Sequence, residues 1–146
     1  MSQADGIVLQ TSLGYLLKEA SSALRTAMES VLRPLGMTIT HYSCLELLAQ
    51  RPGLSNSDLA RGAFVTRQSM NVLLQALERD GFVTRSTQAA VGKALPTQLT
   101  PLGRQRLDEA SAAVRSVEVR MLSALSPDEQ SQALTILRSM IHSLRG

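Results

Sequence analysis

Two short helices separated by a turn of about three residues are the feature of this sequence that most restricts its fold. Ser55 is followed three residues later by Asp58, which is the spacing of a helix-starting capping box. Thr66 has the character of a second N-cap, and the helix that follows it ends at Asp80-Gly81, where glycine accepts the left-handed conformation that closes a helix. The pair predicts a helix-turn-helix.

A predicted β-hairpin follows the helix pair. Residues 82–85 (FVTR) are typical of a strand, and residues 95–99 (LPTQL) alternate between apolar and polar positions. Pro96 restricts the second strand to an edge or a bulge. Helix, tight turn, helix and hairpin in this order predict a winged helix-turn-helix, with residues 86–94 as the wing loop.

Amphipathic helices flank this lobe. Apolar residues spaced by three and four predict a long helix over residues 11–35 and a shorter one over residues 40–50. Thr100 followed by Pro101, and Ser126 in capping-box spacing with Glu129, start two more helices after the hairpin. The predicted fold class is mainly α: a winged helix-turn-helix with a short β-hairpin wing and additional helices at both ends.

A heptad-like apolar seam in the last two helices predicts helix-on-helix association between two chains. The alternative is that the seam packs against the first helix of the same chain, and the two interpretations are compatible. The seam consists of Leu107, Ala110, Val114, Val117, Met121, Leu134, Leu137, Ile141 and Leu144.

Basic charge is concentrated in the middle of the chain. Residues 61–106 contain seven Lys or Arg against two Asp or Glu, whereas the remainder contains eight basic and ten acidic residues. The middle segment is therefore positive within a chain of net charge +3, as expected for a surface that contacts phosphates. A solvated basic face explains the same count, so charge alone leaves both interpretations open.

The polar face of the helix at 66–79 is the candidate base-reading surface. An α-helix fits the major groove of DNA, where arginine pairs with guanine and asparagine or glutamine with adenine. The alternatives are an ordinary surface helix, a purely capping role for Ser55 and a solubilising role for Lys93. The predicted DNA contacts are Ser55, Asn56, Ser57, Thr66, Arg67, Gln68, Ser69, Asn71, Gln75, Arg85 and Lys93.

Catalytic and metal-binding motifs are missing from the sequence. His41 and His142 are far apart, and neither has metal-ligand spacing with Cys44. We therefore expect no enzyme activity, no metal and no cofactor. Cys44 is interpreted as a small core residue, with a redox sensor as the alternative. A single cysteine and no apolar run of membrane-spanning length predict a cytoplasmic protein without a membrane partner.

Four segments resemble the MarR (multiple antibiotic resistance regulator) family, and the resemblance covers about residues 10–145. They are residues 54–60 (LSNSDLA), 65–73 (VTRQSMNVL), 77–83 (LERDGFV) and 99–104 (LTPLGR). The resemblance implies a homodimer that binds double-stranded DNA, with the recognition helix at 66–79 and the wing at 84–98. It divides one intertwined domain into an N-terminal dimerisation helix (1–37), a winged helix-turn-helix lobe (38–100) and C-terminal dimerisation helices (101–146).

The family resemblance also implies repression of nearby genes, relieved by small aromatic effectors. Tyr15, Met37, His41 and Tyr42 are the candidate ligand-binding residues, with ordinary core or surface positions as the alternative. The wing departs from the family pattern: residues 90–94 (AVGKA) lack the usual acidic residue, and Lys93 stands where arginine is usual.

Two other functions compete with a DNA-binding regulator. A winged helix can serve as a protein-interaction module that has lost DNA binding, as in an antirepressor. A small-molecule-binding or enzymatic helical dimer is the second rival, and no residue constellation in the sequence supports it.

Overall fold

The computed structural model describes residues 6–85 and 97–146. Within these ranges the chain forms six α-helices and one two-stranded antiparallel sheet, which confirms the predicted mainly helical, winged helix-turn-helix class. The helices are α1 (Leu13–Leu32), α2 (Ile39–Gln50), α3 (Asn56–Gly62), α4 (Arg67–Arg79), α5 (Pro101–Met121) and α6 (Pro127–Arg145), and the strands are β1 (Val83–Arg85) and β2 (Thr97–Leu99).

Side-chain caps fix the start of each helix in the winged lobe. Ser55 Oγ accepts the amide of Asp58 at 3.1 Å, and Asp58 Oδ2 accepts the amide of Ser55 at 3.3 Å. Thr66 Oγ1 accepts the amide of Ser69 at 3.0 Å. Satisfying these otherwise unpaired amides stabilises a helix start by about 1 kcal/mol. The predicted caps at Thr100 and Ser126 are also present.

The observed start of α2 and end of α1 differ from their predicted positions. Thr38 Oγ1 accepts the amide of His41 at 3.1 Å, and His41 Nδ1 accepts the amide of Thr38 at 3.2 Å. α2 therefore begins at Ile39, one residue earlier than expected. The first helix ends at Leu32 rather than residue 35, because the chain tightens there into a 3-10 turn, Arg33–Leu35.

The core lies between α4, α2, α3 and the start of α5. Met70, Leu74 and Leu77 form the buried face of α4. Leu107 and Ala110 of α5 lie in the same cluster, so this part of the seam packs within the chain. The buried cluster consists of Leu32, Met37, Cys44, Leu45, Leu48, Leu59, Ala60, Met70, Leu74, Leu77, Val83, Leu107 and Ala110.

The start of α5 is anchored to the end of the helix-turn-helix. The amide of Thr100 donates to the carbonyl of Phe82 at 3.1 Å, and Thr100 Oγ1 donates to the carbonyl of Gly81 at 2.6 Å. A Cβ at Gly103 would lie 2.0 Å from the carbonyl oxygen of Phe82, so only glycine permits this approach. The orientation of the hairpin is thereby coupled to α5.

Candidate nucleic-acid interface

The turn between α3 and α4 is short and tightly bonded. The amide of Val65 donates to the carbonyl of Ala60 at 3.0 Å. Phe64, in the middle of the turn, has φ of 60°, which is the left-handed region that side chains other than glycine rarely adopt. α3 also packs closely on α2 at Gly62, where an added Cβ would lie only 2.8 Å from Leu47 Cδ1. These constraints fix the orientation of α4 relative to α3.

The outer face of α4 carries the predicted base-reading residues. Arg67, Gln68, Ser69, Asn71 and Gln75 are all exposed, while the opposite face of the helix is buried in the core. An exposed row of one guanidinium and three amides on a helix supplies donors and acceptors suited to base edges in the major groove.

Contacts at the start of α4 distinguish the residues that cap helices from those that remain available to DNA. Arg67 Nη1 donates to Ser57 Oγ at 3.3 Å and so bridges α4 and α3. A guanidinium has five N–H donors, so this single bond leaves Arg67 able to contact a base or phosphate. Ser55 and Thr66 use their hydroxyl oxygens to cap helices, and Asn56 is partly buried in the first turn of α3.

Arg85, at the end of β1, lies against α4. Its Nη1 donates to Asn71 Oδ1 at 3.4 Å, and its Nε lies 3.8 Å from Glu78 Oε1. The side chain is 23% exposed. This predicted DNA contact therefore packs beside the recognition face and contacts two α4 side chains. The sequence did not reveal this arrangement, because Arg85 and Asn71 are fourteen residues apart.

The basic segment contributes less free charge than its composition suggests. Arg61 forms an ion pair with Asp58, and hydrogen bonds from Ser55 lower the pKa of the Asp58 carboxyl and keep it ionised. Arg106 donates to the carbonyl of Leu35, lies 3.5 Å from Glu109 and stacks 5.9 Å from the ring centroid of Phe82. Arg106 thus joins α5 to the 3-10 turn after α1, which is a structural role. Lys93 and the predicted wing loop lie outside the described residues.

A cleft of about 710 Å³ separates α1 from the winged lobe. Its volume is typical of a small-molecule site. It combines the guanidinium groups of Arg25 and Arg33 with the ring of Phe64, which is 85% exposed. The cleft is lined by Ser21, Leu24, Arg25, Met28, Glu29, Arg33, Met37, Thr38, Ile39, Thr40, Ser43, Ala63, Phe64 and Val65.

Of the four candidate ligand residues, Met37 lines this cleft and the other three lie elsewhere. Tyr15 is exposed in the first turn of α1, where its amide is capped by Ser12. His41 Nδ1 completes the cap of α2, and burial lowers the pKa of its imidazole. Sequence reasoning missed Arg25, which α1 brings to the cleft, and Arg33, which reaches it from the 3-10 turn after α1.

The fourth candidate, Tyr42, joins a polar cluster between α2 and α5. Its hydroxyl donates to Glu46 Oε2 at 2.6 Å, and Ser111 donates to the same oxygen at 2.9 Å. Burial alone raises the pKa of Glu46, but hydrogen bonds from Tyr42, Gln50 and Ser111 outweigh it and lower the pKa. Burial and the Glu46 contact raise the pKa of Tyr42 to about 12. This cluster fixes the packing of α5 on α2.

Cys44 has the core position that the sequence predicted. Its side chain is completely buried, and burial raises the pKa of its thiol to about 12. A thiol of such high pKa is a poor nucleophile at neutral pH. Among the described residues, no cluster of three or more His, Cys, Asp or Glu is arranged to hold a metal.

The end helices expose apolar side chains that this chain alone does not cover. No residue of α6 is buried, although four of the predicted seam residues lie on it. Met121 at the end of α5 is 50% exposed, whereas Val117 is 5% exposed within the chain and Val114 is half-buried. The four seam residues of α6, all exposed, are Leu134, Leu137, Ile141 and Leu144, and Ile136 beside them is exposed as well.

Within the described ranges, none of the helices is both long and apolar enough to cross a membrane.

Comparison with known proteins identifies the family. Residues 35–94 match the MarR family. The chain is 38% identical over 135 residues to the HTH-type transcriptional repressor Rv2887 of Mycobacterium tuberculosis, covering 92% of this chain and 97% of the relative.

Two crystal structures of that M. tuberculosis protein have the same fold. The complex of Rv2887 with salicylic acid matches with a TM-score of 0.75 and 39% identity, covering 94% of this chain and 98% of the other. The complex of Rv2887 with DNA matches with a TM-score of 0.74 and 38% identity, covering 89% and 98%. Rv2887 is a repressor, which confirms the prediction of a regulator rather than an enzyme. The chain belongs to the MarR family of winged helix-turn-helix transcriptional regulators.

Proposed function

We propose that this protein is a homodimeric repressor that binds a pseudo-palindromic operator and leaves it when a small aromatic carboxylate occupies the cleft beside α1. The observation that carries the proposal is the exposed polar face of α4, which presents Arg67, Gln68 and Asn71 on a helix fixed by its turn and core. Lys93, from the wing, is proposed to add a contact to the backbone or the minor groove.

The proposed dimer places the two copies of α4 in successive major grooves. Two recognition helices related by a two-fold axis read half-sites about 34–36 Å apart. Exposed apolar side chains on both end helices support this arrangement: Leu13, Leu16 and Leu17 of α1 are exposed, and none of the nineteen residues of α6 is buried. A helix in water gains most of its stability by packing an apolar face against a partner. In this proposal residues 1–37 and 101–146 dimerise and residues 38–100 contact DNA. In this proposal the protein acts in the cytoplasm, which fits its single cysteine.

The chemistry of the cleft supports an anionic aromatic effector. Arg25 and Arg33 offer guanidinium groups that suit a carboxylate, although Glu29, 3.8 Å from Arg33, competes for that residue. Phe64, Leu24 and Met28 offer apolar surface for a ring. The relative Rv2887 was crystallised with salicylic acid, a ligand of this class.

Selection from random-sequence duplex at two salt concentrations tests the DNA-binding part. The proposal predicts enrichment of an inverted repeat and an affinity that falls as salt rises. Weak binding without enrichment would leave only general electrostatic attraction. A salt-independent complex with another protein would instead favour the protein-interaction module.

Titration of salicylate into a complex with fluorescently labelled operator tests the effector. We expect DNA release for the wild-type protein and a weaker response for Arg25→Ala. Lys18→Ala is the matched control, because Lys18 is a basic residue on the same helix that does not line the cleft. An equal response from both variants would contradict the assignment of the cleft.

A further inference from the structure

We infer that Arg85 is a positioning residue for base recognition, which holds the side-chain amide of Asn71 so that it acts toward DNA as a hydrogen-bond donor. This inference rests on the proposed DNA-binding function and adds a determinant of its sequence specificity. It departs from the expectation that Arg85 contacts the DNA backbone or minor groove and that Asn71 reads adenine.

The guanidinium of Arg85 lies along one side of the recognition helix. It contacts Asn71 through Nη1 at 3.4 Å and approaches Glu78 through Nε at 3.8 Å. Asn71 and Glu78 are seven residues apart on α4, so they occupy the same side of the helix. Nε of Arg85 is buried, and the side chain as a whole is mostly covered. The residue is therefore placed between the hairpin and the base-reading face.

The donor-only chemistry of arginine decides the orientation of the Asn71 amide. A guanidinium has five N–H donors and no acceptor, so an amide against it must present its carbonyl oxygen. The oxygen of Asn71 consequently faces Arg85, and the opposite orientation would set two donors against each other. The NH₂ group remains for contact with DNA.

This orientation changes which bases Asn71 favours. Bidentate recognition of adenine requires the amide oxygen to accept from N6 while the NH₂ group donates to N7. The amide oxygen has a second lone pair, but its bond to Arg85 holds it on the hairpin side of the helix, where it cannot pair with adenine in the same plane as the NH₂ group. Asn71 therefore presents its donors, which suit the N7 and O6 of guanine or the O4 of thymine. Gln68 and Gln75 have no such arginine contact among the described residues, so their preferences are independent of Arg85.

Selection and sequencing with four proteins tests the inference. Asn71→Ala identifies the base position that depends on Asn71, and the wild-type protein is expected to prefer guanine or thymine there. Arg85→Met keeps the aliphatic stem but removes the donors, so its preference should move toward adenine by roughly fivefold to 150-fold. Arg85→Lys retains a donor and should keep the wild-type preference. Thermal melting verifies that each variant is folded.

Several outcomes would overturn the inference. A wild-type preference for adenine at the Asn71-dependent position contradicts it without any Arg85 variant. A uniform loss of affinity in Arg85→Met, with a salt slope lower by about one, would show a phosphate contact. An enriched operator with unchanged base preference in Arg85→Met contradicts this inference alone, whereas failure of the wild-type protein to enrich any sequence contradicts the proposed function as well.

Discussion

Adding one methyl group at Gly103 should damage the junction between the hairpin and α5. A Cβ there would lie 2.0 Å from the carbonyl oxygen of Phe82 and 2.9 Å from its carbonyl carbon. Both atoms belong to the backbone, so no side-chain rotation relieves the overlap. Since real Cβ contacts stay beyond 3.0 Å, α5 must move by about 1 Å relative to β1.

The size of the effect follows from the contacts at this junction. Overpacking costs typically 1–3 kcal/mol, and the rigid backbone obstacle places Gly103→Ala near the upper value, at about 3 kcal/mol. The movement also strains the two hydrogen bonds from Thr100 to Phe82 and Gly81, each worth about 1 kcal/mol. The better helix propensity of alanine returns about 1 kcal/mol. We expect a net loss of about 3–4 kcal/mol in the free energy of unfolding.

Thermal and urea unfolding followed by circular dichroism measure this loss at one fixed protein concentration. For a chain of this size the melting temperature should fall by roughly 6–16 °C. Gly14→Ala is the matched control, because Gly14 also lies in a first helical turn but its nearest neighbouring atom is Ser12 Oγ at 3.9 Å. That variant should be unchanged or slightly more stable. Equal stabilities for the two variants would refute the packing argument.

Four further predictions follow from the interface, the wing and the buried groups. Arg67→Ala should weaken operator binding by roughly 1–3 kcal/mol and relax the sequence specificity at one base pair. Unchanged affinity in a binding titration would show that Arg67 does not contribute to recognition. Lys93→Ala should weaken binding to all duplexes about equally and reduce the salt slope by about one. Burial lowers the pKa of His41 from 6.5 in the folded protein, so the unfolded chain binds more protons below that value and stability should fall as the solution is acidified below pH 6.5. His41→Gln keeps a capping-box side chain without titrating, so its urea midpoint should vary less with pH in this window. Cys44, whose pKa is raised to about 12, should react with a thiol reagent at pH 8 only as fast as the protein unfolds, and rapid labelling of the native protein would contradict its burial.

Local signals in the sequence were sufficient for most helix starts. Ser55, Thr66, Thr100 and Ser126 act within three residues of their own positions, so their capping role is encoded by spacing alone. The start of α2 was misplaced because His41 completes the box where glutamate or glutamine is usual. The pattern that would have found it is an N-cap threonine followed three residues later by any side chain with an acceptor.

Contacts between distant segments explain what sequence analysis missed in the site. Arg106 counted as phosphate-binding charge, yet it bonds to the carbonyl of Leu35, 71 residues away. Arg25 and Arg33 reach the cleft only because α1 and the 3-10 turn after it pack beside the lobe. Arg85 was identified as functional from its charge, but its contact with Asn71 depends on how β1 lies beside α4. Composition identifies such residues without indicating which partner they face.

The spacing between operator half-sites gives the most direct test of the central claim, that two copies of α4 read DNA as a dimer. The equilibrium affinity should be measured for the selected inverted repeat and for the same repeat with five base pairs inserted at its centre. The insertion turns one half-site to the opposite face of the duplex, since a helical turn spans about 10–10.5 base pairs. The account predicts a loss of at least about a hundredfold in affinity, toward the non-specific level. Equal affinity for both duplexes would contradict a rigid dimer that reads two half-sites.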